Sequence, residues 1–184
     1  LRNKVATLEE DNAKKKTLIA SLTDRLVVGG SALPVELSAQ FEDLSKKYPM
    51  ITYDAGRGVL KLSTDLLFDK GLDVVATSAV EGVKALSTIL NSEEAKKFDI
   101  VVAGHTDDIP ILRTETLQRH PTNWHLSAHR AIAVLNQMVR NNVDATRLSV
   151  RGFGEFRPAE PNAEGNKGNP QNRRVEIYII PHGT

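Results

Sequence analysis

The sequence predicts an α+β fold in which helices pack on one face of a mixed sheet, and three observations lead there. Strand-like runs at 50–63, 99–107, 147–153 and 173–180 are separated by helix-period stretches after the first and second only, giving the order strand, helix, strand, helix, strand, strand. The run "DIVVAGHTD" is apolar without alternation, as an interior strand covered on both faces would be. Finally, 40% hydrophobic and 26% charged residues in a 184-residue chain suit one core with an appendage, and not two full domains.

The appendage is residues 1–28. Leu1, Val5, Leu8, Asn12, Lys15, Ile19, Leu22 and Leu26 recur at alternating spacings of four and three, a heptad seam with Asn12 at an a position. Lys4 and Asp11 fall at g, Glu9 and Lys16 at e, so a parallel pair of helices brings opposite charges together across the seam. The expectation is a coiled-coil homodimer. Gly29, Gly30 and Ser31 then form a flexible joint, and 29–49 serve as linker and short helix before a domain at 50–181.

The remaining elements follow in order. Pro34 suits a first turn whose helix aligns Leu37, Phe41, Leu44 and Tyr48, and Pro49 ends it. "MITYDAGRGVLKLS" reads as two short strands around a glycine turn, and "LLFDKG" as the turn that closes them. Val80, Val83, Leu86 and Leu90 mark a helical stripe that Asn91 and Ser92 interrupt. After the interior strand, 109–121 read as irregular. Residues 123–140 form the clearest helix, with Asn123 as N-cap, Leu126, Ala131, Val134, Leu135 and Met138 buried, and Asn141–Asn142 at the exit. Trp124 reads as a packing residue of its first turn. "RLSVRGF" and "RRVEIYII" are the last strands, with Gly152 and Gly154 as turn glycines.

Composition also bounds function. A net charge of +1 argues against nucleic-acid binding through bulk electrostatics, and the absence of cysteine excludes disulfides and thiolate chemistry. No apolar run approaches the ~20 residues of a membrane-spanning helix. The chain starts at Leu1 and not at Met, so a fragment or processed product is expected, with any membrane attachment in a segment upstream.

The chemistry concentrates at two places. Asp107 ends the interior strand, and Arg130 lies two turns along the helix from Asn123. An arginine fork suits a carboxylate and an aspartate suits an ammonium, so the two converging would read a zwitterionic amino-acid head group; the alternative is a plain salt bridge pinning the loop. A metal-dependent hydrolase is the rival, drawn from His105, His125 and His129, although no HExxH-type base accompanies them. Ser127 lacks a nucleophile elbow, and the adjacent arginines of "QNRRVE" read as a solvated sheet end.

"GHTDD", "NWHLSAHRA", "RLSVRGFGEFRP" and "NRRVEI", in that order, resemble the peptidoglycan-binding domain shared by OmpA, Pal and MotB over residues 50–180. "LLFDKG" fits the first strand-to-helix junction of that family, and "NWHLS" with the long 108–122 segment is most similar to its MotB branch. The resemblance implies a βαβαββ arrangement and noncovalent binding of peptidoglycan, without catalysis or cofactor. It implies that Asp107 and Arg130 grip the diaminopimelate of the stem peptide, and that Thr106, Asn123, Leu126, Asn172 and Arg174 orient or line the groove. It further implies a periplasmic anchor, attached to the inner or outer membrane, with a stator component as one form.

Overall fold

In the computed structural model, residues 33–68 and 72–183 are described, and the heptad segment and its glycine joint lie outside them. The elements are α1 (Val35–Lys47), β1 (Ile51–Asp54), β2 (Val59–Ser63), α2 (Thr64–Leu67), α3 (Thr77–Leu90), β3 (Phe98–His105), α4 (Thr114–Arg119), α5 (Asn123–Arg140), β4 (Leu148–Gly152) and β5 (Arg174–Pro181). The strands form one sheet in the order β1-β2-β5-β3-β4. Only β3 and β4 run parallel, joined by the α5 crossover, and the other pairs are antiparallel. This is the expected α+β arrangement of helices on a mixed sheet.

Strand alternation divides the sheet into two unlike faces. Ile100 and Val102 of β3, with Val175, Ile177 and Ile179 of β5, join Leu60 and Leu62 in the core beneath the helices. The α1 side chains Leu37, Phe41 and Leu44 enter the same core, so the helix preceding residue 50 is packed and not merely a linker. On the opposite face, Arg174 and Glu176 alternate with the core residues of β5 and are nevertheless buried.

Two glycines let α5 sit directly on the sheet. A Cβ at Gly104 would lie 1.9 Å from the Ser127 carbonyl oxygen, and one at Gly152 would lie 2.8 Å from Ala128 Cβ. Gly152 is therefore a strand residue kept small by a helix above it, and not the turn glycine its motif suggested; Gly154, at φ +57°, is the turn. α5 has the expected bounds and leaves through Asn142 at φ 64°.

Some local expectations fail. The irregular 109–121 stretch contains the helix α4, whose six residues are too few to show a period. Thr122, and not Asn123, occupies the N-cap of α5. Trp124 is 48% exposed and stacks on Phe156 at 5.1 Å, because it stands at the margin of the buried stripe beside the Gly154 turn. Among the described residues, no helix is long and apolar enough to cross a membrane.

Candidate ligand-binding site

The site is built where β3 ends and where β5 and α5 begin. Pairing of His105 with Arg174 sets the two strand ends side by side, so Asp107 emerges beside Arg173. Asp107 is 4% exposed; its Oδ2 accepts from Arg173 Nη1 at 2.6 Å and its Oδ1 from the Ile109 backbone N–H at 3.4 Å. Gly168, at φ +71°, passes so close that a Cβ there would meet Asp107 Oδ2 at 2.3 Å. Arg173 is shared: its Nε and Nη2 donate to Asp65 at 2.8 and 2.5 Å. Those hydrogen bonds, Asp65 before Asp107, raise the arginine pKa further despite partial burial.

Arg130 forms the other wall. It is 6% exposed, its Nε donates to the Leu72 carbonyl at 3.1 Å, and its guanidinium lies 5.5 Å from the Phe68 ring centre. Burial lowers its pKa to about 10, with Arg173 adding to the shift and Asp65, Asp107 and Asp73 opposing it. It therefore remains a cation at neutral pH. Asp107 and Arg130 thus sense each other electrostatically, while the direct ion pair of Asp107 is to Arg173.

The other expected residues play distinct parts. Asn123 ties the mouth: its Nδ2 donates to Glu155 Oε2 at 2.6 Å and, at longer range, to the carbonyls of Asp107 and Ile109. Thr106 is buried, its N–H donates to the Gly154 carbonyl, and its hydroxyl is a buried polar atom without a hydrogen-bond partner. Leu126 is buried in the first turn of α5. Asn172, fully enclosed, accepts from the N–H groups of Ala159 and Glu160 and donates to Glu160 O and Asn162 Oδ1, so it fastens the 155–169 loop.

Arg174 faces away from Asp107, onto the second face of the sheet, where its Nε donates to Glu176 Oε1 at 2.7 Å. "QNRRVE" is thus no solvated sheet end. Alternation sends Arg173 to one buried carboxylate and Arg174 to another. Burial pushes the Glu176 carboxyl up, yet nearby His105, the donating Tyr178 hydroxyl and Arg174 outweigh it and hold the pKa far below the ordinary range.

The expected metal set is not assembled. His105 stacks on Phe153 and lies 3.6 Å from Glu176 on that second face, whereas His125 Nδ1 is 2.9 Å from Thr122 Oγ1. Strand alternation turns His105 away from α5, so the hydrolase drawn on His105, His125 and His129 has no centre. Sequence reading missed Arg173 as the partner of Asp107. Its only signal was the doubled arginine at a strand start, which places one cation on each face.

A five-stranded mixed sheet under three main helices, with an acid–base pair at the strand ends, defines a small α+β binding domain. Residues 67–173 match the OmpA family, and the chain belongs to it. Motility protein B of Bacillus subtilis (strain 168) is 31% identical over 144 residues, 77% of this chain and 52% of that protein. The periplasmic domain of Helicobacter pylori MotB (residues 78–256) superposes with a TM-score of 0.59 at 28% identity, over 68% of this chain and 76% of that one. The cell wall anchor of the T6SS from Pseudomonas aeruginosa gives a TM-score of 0.65 at 26% identity, over 78% of this chain and 96% of that one. The chain spans about half the length of the motility proteins it matches.

Proposed function

We propose that this chain binds peptidoglycan noncovalently and anchors an envelope protein to the cell wall in the periplasm. The observation that carries the reading is the burial of Asp107 and Arg130, opposite in charge and electrostatically coupled, at one end of the sheet. Burial lowers the effective dielectric, so each group gains more from a charged ligand than an exposed side chain would. The ligand is the diaminopimelate head group of a stem peptide, its carboxylate on Arg130 and its ammonium on Asp107. Arg173 holds the Asp107 carboxylate in place until the ammonium shares it. Asn123 sets the mouth, Thr106 and Leu126 form its floor, and Asn172 and Arg174 support it from the loop and from the opposite face.

Kinship with Motility protein B and with a cell wall anchor supports the anchoring role, and a stator-like assembly paired through residues 1–28 is its fuller form. The proposed activity is binding and not hydrolysis, so incubation with purified sacculi should release no muropeptides, and released muropeptides would reject it. Co-sedimentation with insoluble peptidoglycan tests the site. Asp107→Ala and Arg130→Ala should each weaken binding about 10- to 100-fold, the worth of one charge-assisted hydrogen bond, while circular dichroism stays native. Full binding by both folded variants would reject the assignment.

A further inference from the structure

We infer that Asp73, His120 and His129 form a site for a divalent transition-metal ion of the zinc class, one that braces the wall beside Arg130. The three come from separate segments: Asp73 from the turn before α3, His120 from the end of α4, and His129 from the second turn of α5. One ligand atom of each lies within 4.8 Å of the other two. Tetrahedral coordination at ordinary zinc distances spaces ligand atoms about 3.4 Å apart, so closure takes small side-chain rotations.

His120 supplies the second, independent observation. It is 1% exposed, yet its Nε2 has no hydrogen-bond partner and faces Asp73 Oδ1 at 3.8 Å. An orphaned buried nitrogen is costly, and an ion between it and the carboxylate removes that cost. The other nitrogen, Nδ1, lies 2.7 Å from His129 Nδ1, so one of the two carries the proton and the other accepts it. Binding opens this hydrogen bond and turns the His129 ring toward Asp73, about a soft torsion. Burial, helped by His129, Arg130 and Arg119 and opposed by Asp73, lowers the His120 pKa.

Two of the same neighbours limit the affinity. Arg130 and Arg119 repel a dication, and one carboxylate offsets them only in part, so the expected affinity is micromolar and not that of a closed structural site. The ion acts as a clip. Leu72, adjacent to Asp73, accepts the Arg130 Nε hydrogen bond, so tying Asp73 to α4 and α5 stiffens that wall.

The test uses the full chain, stripped with chelator and titrated with zinc chloride, with no peptidoglycan present, so its outcome is separate from that of wall binding. One equivalent should bind, and zinc at about a hundredfold over Kd should raise Tm by roughly 5–10 °C. His129→Ala and Asp73→Asn, both partly exposed and tolerant of change, should weaken zinc at least tenfold without lowering the metal-free Tm much. His125→Ala should bind as the parent does. Cobalt(II) should give tetrahedral visible absorption that His129→Ala loses. No zinc-dependent shift, or parental affinity in His129→Ala, or loss on His125→Ala, would overturn the assignment.

Discussion

Replacing Gly104 by alanine tests how α5 is seated and, through it, how Arg130 meets Asp107. The added Cβ would fall 1.9 Å from the Ser127 carbonyl oxygen, 2.7 Å from its carbon and 3.2 Å from its Cα. The first separation is roughly 1.5 Å short of ordinary contact, and all three atoms are helix backbone that no rotamer change can move aside. α5 must therefore lift from β3, opening the packing around Ala131 and Val134. Overpacking of this kind costs about 3 kcal/mol, equivalent to a Tm fall of roughly 6–12 °C for a domain of this size. Arg130 follows Ser127 by less than one turn, so the same displacement carries its guanidinium away from Asp107, and peptidoglycan co-sedimentation should fall more than tenfold well below the melting transition. Gly152→Ala is the internal comparison. Its nearest obstacles are Ala128 Cβ at 2.8 Å and Ala128 N at 3.0 Å, so about 1–2 kcal/mol is expected. Calorimetry and sedimentation on the two variants suffice. A Gly104→Ala protein melting within about 2 °C of the parent, or less perturbed than Gly152→Ala, would refute the seating and the argument built on it.

Two further outcomes concern the other face and the loop. The pKa of Glu176 is depressed in the folded chain, so its stabilisation is present above the ordinary carboxylate value of about 4.3 and is lost as pH falls below it toward the folded value. Acid melts should show stability declining through that window, and Glu176→Gln should flatten the decline while costing about 3–5 kcal/mol at neutral pH by leaving Arg174 buried and unpaired. Asn172→Ala should cost about 2–4 kcal/mol, since four hydrogen bonds of an enclosed amide disappear. Limited proteolysis should then cut within 155–169 first; uncut loops in the variant would show that the fastening lies elsewhere.

What could be read in advance was whatever repeats along the chain. The bounds of α5 matched expectation because its helical period runs over many turns, and the 98–105 strand was legible from unbroken apolar character. Asp107 and Arg130 could be singled out because each stands in an ordered motif that resembles the OmpA family's, and both are buried in the fold. α4 was not, since one and a half turns carry no period, and Trp124 was misplaced because its exposure depends on where the Gly154 turn runs.

By itself, then, the sequence determined the order of the strands and the three main helices, the fold class and the chemical character of the strand ends, all of them properties of neighbours along the chain. Only the tertiary structure decided the pairings: Arg173 with Asp107 and Asp65, Arg174 with Glu176, His120 with His129 and Asp73. Most of those partners lie far apart in sequence. Which carboxylate each arginine meets depends on the register of β5 between β2 and β3, and a shift of one residue would exchange the two arginines between faces.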